Sequence, residues 1–493
     1  MALRSGNREQ GTFLPPTVED YVLEDAPVRA YDALIDSMPL EEMGFDLNSS
    51  RVGNPRYNPV AMLKLLVYGY SYGVRSSRKL ERECNYNLSF IWLMGGMKPD
   101  FKTIAEFRRN NKKALKLVLQ QTARLCINLG IIDGNIIFVD GTKIRANASV
   151  EKFFTNEKCE KIILKLDKRI DEIISEAEKI DNNESNFPSL VSVGAELKDK
   201  KKFRSKVKNM LKKMNDEGTE KLSHVDADCA RFKSRQGFHA GYNVQSAVDE
   251  KHGLIVSSDA VSQNNDYGLL SSQIENANET LEENCSCACA DSGYADSGDL
   301  KKVENLNPKN KTKVVVPSQK QKNDERVIGK KAADEKMNFS KQCFKFNEKE
   351  NTYTCPEGHI LKCKSNRVKR ASKEYRIEKA ETCRNCKHFG VCTTGKNGRT
   401  VERFNNEKEK KYFEAEYKKE DSQKIYRLRK MKAELPFGHI KRNLGVTGFL
   451  MRGLDGVNAE TSILSTCFNI SRMLTIFGGA KGLKDAILAK ARP

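Results

Sequence analysis

A chain of 493 residues is too long for one ordinary domain, and about two to four are expected. Its 86 lysines and arginines outweigh 66 acids, and the resulting formal charge of +20 points to a polyanionic partner, with nucleic acid the first candidate. No apolar run is long enough to span a bilayer, and "MALRSGNREQGTFLPP" lacks a signal-peptide apolar core, so a cytoplasmic, nucleoid-associated protein in a reducing compartment is expected.

Residues 18 to 130 read as helical. In "NPVAMLKLLVYGYSYG" Asn58 stands in a capping position before Pro59 at the first helical residue, and apolar periodicity follows. Farther on, Ile104, Phe107, Leu115, Val118 and Leu119 recur near helical spacing with cations on the other face, which is also how a plain solvated surface helix looks.

The pattern then changes to strands. "NIIFVDGTKIRANAS" is expected to run as a buried strand over Ile136 to Val139, end at Asp140 and turn at Gly141. "GFHAGYNVQSAVDEKHGLIVSSDAV" reads as two more strands joined at "DEKHG", followed by a helix from near Asn265, a strand "CSCACA" ending at Asp291, and a strand in "TKVVVPS". Within "CSCAC" a period of two sets Cys285, Cys287 and Cys289 on one strand face, as core residues and not as ligands. His239 reads as a hydrogen-bonded strand residue before it reads as a base.

Two insertions interrupt this mixed α/β order. The first, about residues 150 to 230, has a heptad-like seam of Ile163, Leu166, Ile170, Ile173, Ala177 and Ile180, then the loop "NNESNFPSL" and a second helical run, so an antiparallel helical hairpin is expected. A purely structural arm and a DNA-touching arm are both open. The second, about 318 to 405, is polar and basic. Cys355, Cys383, Cys386 and Cys392 have spacings that suit a tetrahedral Zn²⁺ site, with His359, Cys343 and Cys363 as spare ligands, and such a site would staple a segment with little apolar core.

Three acids occupy comparable places: Asp140 and Asp291 at strand ends, Glu434 within the late helix "YRLRKMKAELPFGHIK". Phosphodiester chemistry with two Mg²⁺ or Mn²⁺ ions about 3.5 to 4 Å apart requires such hard oxygen ligands. Singly, each has a structural reading: a turn at Asp140, a cap at Asp291, a Lys430 pairing for Glu434. Pro436 is expected to end or kink the helix just after Glu434. Lys143 and Arg145, after Asp140, are candidates for phosphate contact or for simple solvation.

These blocks, "YNPVAMLKLLVYGYSYGVRSSRKLEREC" onward to "FKTIAEFRR", then "VDGTKIRANAS", "GYNVQSAVD", "ADSGYAD" and "ELPFGHIKRNLG", resemble the DDE transposases of bacterial insertion sequences, in the group with an InsH-like N-terminal domain. The cysteine segment is similar to that group's zinc-ribbon-like insertion. The resemblance implies a ribonuclease H-like catalytic fold with Asp140, Asp291 and Glu434 as the metal-binding triad. It also implies a signature of Tyr, two residues, Arg, three residues, Glu, six residues, Lys. Glu434 to Lys441 keeps the last interval, whereas Tyr426 and Arg429 each stand one residue too far upstream, where Arg427 and Lys430 hold the helical positions. Which of Tyr426, Arg427, Arg429 and Lys430 touch DNA beside Lys441 stays open. The implied layout is a helical DNA-binding and assembly domain over 1–134, catalytic segments over 135–317 and 406–493, and the cysteine insertion over 318–405. The implied activity is cleavage at terminal inverted repeats and strand joining to target DNA by at least a homodimer. The rivals are a non-catalytic DNA-binding regulator and a ribonuclease H-like nuclease.

Overall fold

The computed structural model describes residues 17–48, 55–181, 187–234, 237–307, 311–318, 339, 341–367 and 372–491. The contacts divide the chain into two units, one of residues 1–266, 272–288 and 427–493, the other of residues 267–271 and 289–426. Among the described residues no helix is long and apolar enough to cross a membrane.

The first unit begins with the expected helices. Asn58 accepts a hydrogen bond from the Val60 amide at 2.8 Å, so the helix Pro59–Ser71 starts where the Asn-Pro pair predicts. Asp100 does the same for Phe101–Asn110, accepting from Lys102 and Thr103. The helix Pro59–Ser71 packs on a long C-terminal helix, Leu454–Ile476, which is buried on every side from Gly456 to Ile470.

Strands follow in chain order as β1 (Ile136–Arg145), β2 (Phe153–Thr155), β3 (Lys221–Ser223), β4 (Ala230–Ser234), β5 (Gly237–Asp249) and β6 (Ile255–Val261). β5 is the organising strand. It pairs antiparallel with β1 on one edge and with β4 and then β6 on the other. Hairpin β5–β6 confirms the turn at "DEKHG". Among the described residues β6 pairs only with β5, and two asparagines of the C-terminal helix serve its other edge: Asn458 accepts from the Ala260 amide at 2.6 Å, and Asn469 both accepts from and donates to Ile255 at 2.8 Å. Leu119, Val248, Ile255 and Phe468 close one apolar cluster between N-terminal helix, sheet and C-terminal helix.

Three expectations change here. β1 does not end at Asp140 or turn at Gly141: its register with β5 runs unbroken from Ile137↔Asp249 to Arg145↔Gly241, and a continuous partner removes any need for a turn. The helix expected near Asn265 starts at Leu270. Pro436 does not end its helix: Glu420–Gly438 runs through it and passes into a π-helical turn, His439–Asn443.

The first insertion is a helical hairpin, Asn156–Asp181 and Phe187–Glu217, closed at its base by the β2–β3 pair. Leu166, Ile170 and Ile173 of the expected seam are buried, and Ile163 packs against Cys159, Val207 and Met210. The Ala177 and Ile180 side chains, and residues 182–186 of the expected loop, lie outside the described residues, while Phe187 to Leu190 already belong to the second helix.

β7 (Cys287–Ala290) is the strand on which the chain leaves the first unit, and β8 (Lys313–Val315) lies in the second. Cys285, Cys287 and Cys289 are core as expected, but Ala288 and Ala290 are equally buried, so both faces of β7 are covered.

The second unit contains a five-stranded antiparallel sheet in the order β13-β12-β11-β10-β9, formed by β9 (Lys345–Asn347), β10 (Thr352–Thr354), β11 (Ile360–Arg367), β12 (Ser372–Ile377) and β13 (Thr400–Phe404). Its apolar core is small: Phe344, Tyr353, Leu361, Tyr375, Ile377 and Val401.

Candidate active site and cysteine cluster

The period of a strand decides what Asp140 can meet. Asp140, Thr142 and Ile144 share one face of β1, and Gly141, Lys143 and Arg145 share the other. Asp140 keeps 16% of its side-chain exposure, and its Oδ1 accepts the Gly141 amide at 3.0 Å.

The glutamate helix comes over that face. Arg429 Nη1 lies 3.6 Å from Asp140 Oδ1, and the Lys441 ammonium donates to Thr142 Oγ1 at 2.5 Å. Because helix and π-turn continue past Pro436, Arg429, Glu434 and Lys441 ride on one uninterrupted element. Ala433, Pro436, Phe437 and Ile440 form its buried side. Glu434, one step from that side, is exposed and makes no hydrogen bond or ion pair among the described residues. Lys432 fixes the element farther along by donating to the Lys251 carbonyl at 3.2 Å.

The cation candidates separate accordingly. Arg429, with 12% side-chain exposure, turns inward to Asp140, whereas Arg427 and Lys430 are exposed. Tyr426 packs edge-to-face on Tyr417 in the second unit. Lys143 sits 5.0 Å over the Phe232 ring, and Arg145 is held at the chain level by Gly448, whose neighbour Phe449 donates its amide to the Arg145 carbonyl at 2.8 Å. Strand alternation puts both cations on the face away from Asp140. His239 is bonded to Ser234 at 2.7 Å, the structural role expected. Thr142 was not singled out from sequence: its only signal is its place two residues beyond Asp140.

In the second unit Asp291 follows β7 directly, and its carboxylate accepts the Gly293 amide at 2.7 Å to cap a short helical turn, Ser292–Tyr294. The capping reading of Asp291 therefore holds, with the second carboxylate oxygen left for other work.

The four cysteines of the second insertion, Cys355, Cys383, Cys386 and Cys392, line one cavity together with His359 and His388. The His359 amide donates to Cys355 Sγ at 3.3 Å and the Arg399 amide to Cys383 Sγ at 3.4 Å. Desolvation raises the Cys392 thiol above its ordinary pKa, opposed by Arg399 and reinforced by the three neighbouring thiols. Cys343 and Cys363 are exposed and do not line the cavity. His388, which sequence spacing had not suggested, is on its wall but is paired with Glu357 at 3.0 Å. Among the described residues no group of three or more His, Cys, Asp or Glu side chains stands closely enough to hold a metal ion as placed.

Two family models match the chain. A transposase domain of the DUF772 type covers residues 16–110, and a transposase DDE domain covers residues 354–474, which includes the cysteine cluster, Arg429, Glu434 and Lys441. These two matches support an insertion-sequence DDE transposase. Neither match reaches Asp140 or Asp291. No curated protein matches. A cryo-EM structure of a piggyBac transposase synaptic complex with hairpin DNA aligns over 94% of this chain and 80% of that chain at 10% identity, with a TM-score of 0.33. At that score the likeness carries no argument. The family reading therefore rests on the two domain matches.

Proposed function

We propose that this DNA transposase cuts at the terminal inverted repeats of its element and joins the freed 3′-hydroxyl ends to target DNA, with Asp140, Asp291 and Glu434 as the ligands of two divalent cations, Mg²⁺ or Mn²⁺, on a ribonuclease H-like core. The observation that carries the reading is the approach of the glutamate helix to the Asp140 face of β1 through Arg429 and Lys441. It puts two acids, Asp140 and Glu434, far apart in sequence on elements that touch.

The donor set suits the ions: carboxylates are hard oxygen ligands, and Glu434 has no competing partner among the described residues. When bound, such a pair lowers the pKa of an attacking water or hydroxyl and stabilises the leaving oxygen. The chain's own residues do the rest. Lys441 stays on the Asp140 face and offers a phosphate its remaining donors, Arg427 and Lys430 are exposed for flanking phosphates, and Tyr426 supplies a surface beside them. Arg429 neutralises Asp140 and holds its orientation. The helices of residues 1–134 would bind the element ends and assemble the two protomers that pairing two ends requires.

The cysteine cluster is proposed as a structural Zn²⁺ site of Cys355, Cys383, Cys386 and Cys392. Four thiols lining one cavity, two of them receiving amide donors, are the ligand type that ion takes, and they would have to draw together from their present spacing to hold it. Metal analysis of the purified protein should find about one zinc per chain. Cys383→Ser and Cys386→Ser should lose it, and unchanged zinc content removes the assignment.

The activity is tested with a donor carrying the element ends. Asp140→Ala, Asp291→Ala and Glu434→Ala should each abolish cleavage and joining while end binding persists. Retained cleavage in any one variant overturns the triad. A wild-type protein that binds ends without ever cutting them is the regulator, and one that cuts RNA–DNA hybrids without joining is the nuclease.

A further inference from the structure

The helical arm is electrically lopsided. Its first helix, Asn156–Asp181, carries eight acids and six cations, and its second, Phe187–Glu217, carries nine cations and four acids. Where the two helices meet, charge is matched: Arg169 pairs with Glu196 across the hairpin at 3.2 Å, and Arg204 pairs back with Asp167. The second helix buries Val207, Met210 and Met214 against Cys159, Phe154 and Leu222.

Directly opposite that stripe, at steps of three and four, stand Lys198, Lys201, Ser205, Lys208 and Lys212, all exposed. None of these four lysines makes an ion pair among the described residues. Like charges at this spacing cost a few tenths of a kcal/mol per pair, so the row works against the helix that carries it. From Lys198 to Lys212 the row covers about 21 Å of helix. That is close to six base pairs of duplex, which present one phosphate charge per roughly 1.7 Å of axis.

We propose that this row is a phosphate-tracking surface by which the arm grips duplex DNA without reading its sequence. The inference rests on the transposase reading, which makes DNA the polyanion at hand. Two features set its character. Lysine is a point charge without the guanidinium fork that pairs with a guanine edge, so the row suits backbone contact. It also contains no aromatic residue, so it has no stacking platform for a single strand. The antiparallel pair Phe153↔Ser223 to Thr155↔Lys221 ties both ends of the arm to one point of the first unit, so a grip on DNA there bears on the whole protein.

The test uses the full chain and the quadruple variant Lys198→Gln, Lys201→Gln, Lys208→Gln, Lys212→Gln, with affinity measured across a salt series on two duplexes, one carrying the element end and one random. The slope of log K against log salt should become shallower by about 3 to 4 on both duplexes, near 0.9 for each phosphate that is no longer neutralised. The end-to-random affinity ratio should not change, and the Lys→Arg quadruple should keep the wild-type slope. An unchanged slope overturns the arm as a DNA surface, and a changed ratio overturns its indifference to sequence. Wild-type protein that binds neither duplex sinks the transposase reading itself, an outcome distinct from both.

Discussion

The sheet around β1 and the sheet around β12 keep their strands together by different means. Residues Ile137 to Val139 of β1 are fully buried, and β5 is buried from Ala240 to Asp249, under a C-terminal helix that is itself sunk in the core. In β11, by contrast, seven of eight residues are exposed and only Leu361 faces inward. This second sheet has six core side chains for five strands. Such a sheet needs a staple, and the cysteine-lined cavity adjoins its core through Cys355, Cys383 and Cys392.

The largest expected effect breaks this contrast at its weaker side. Zinc in structural sites contributes on the order of 10 kcal/mol, more than most domains have to spare. Chelation should therefore strip hydrogen-exchange protection from β9 to β13 and leave the amides of β1, β5 and β6 protected. If β9 to β13 stay protected after zinc is removed, the small core suffices and the contrast is wrong.

The next effect falls on the first unit, at a buried ion pair. Arg75 meets Glu460 with side-chain exposures of 9% and 0%, and the other Glu460 oxygen accepts the Leu450 and Met451 amides at 2.9 and 3.0 Å. Arg75 also donates to the Gly448 carbonyl at 2.8 Å. One carboxylate thus fixes the loop that joins Arg145, at the end of β1, to the core helix. Glu460→Ala leaves a buried guanidinium without its counter-ion and two loop amides without their acceptor, and should cost about 3 to 5 kcal/mol in denaturant unfolding. A loss below about 1 kcal/mol would mean that water reaches the pair and that this core is less dry than its burial suggests.

How much of this was legible in sequence follows from the range of each interaction. Local signals held: Asn58 and Pro59 started a helix, the "DEKHG" turn made a hairpin, and the cysteines of "CSCAC" were core. Boundaries set by a distant partner did not. Gly141 reads as a turn until β5 is seen running beside it, and Pro436 reads as a stop until the wider π-turn is seen to follow. Arg429 reads as one of four exchangeable cations, because nothing within its own helix reveals that Asp140 stands 3.6 Å away. Arg75 and Glu460, 385 residues apart, leave no trace in any short window. The acids of the triad were nameable because family resemblance carries long-range information that periodicity lacks.

The smallest effect sharpens the comparison, because it measures what a purely local signal contributes in the well-packed unit. Asn58 leaves one amide of the first turn of Pro59–Ser71 satisfied by its side chain, and Pro59 removes the need for another. The helix behind them is buried from Met62 to Tyr70, so packing alone should hold it in place. Asn58→Ala should then cost about 1 kcal/mol, and Asn58→Asp almost nothing, since either side chain accepts from the Val60 amide and the acid also suits the positive end of the helix. Differential scanning of the two variants checks the ordering. An alanine cost of several kcal/mol would show that this helix depends on its cap and that packing alone does not hold it.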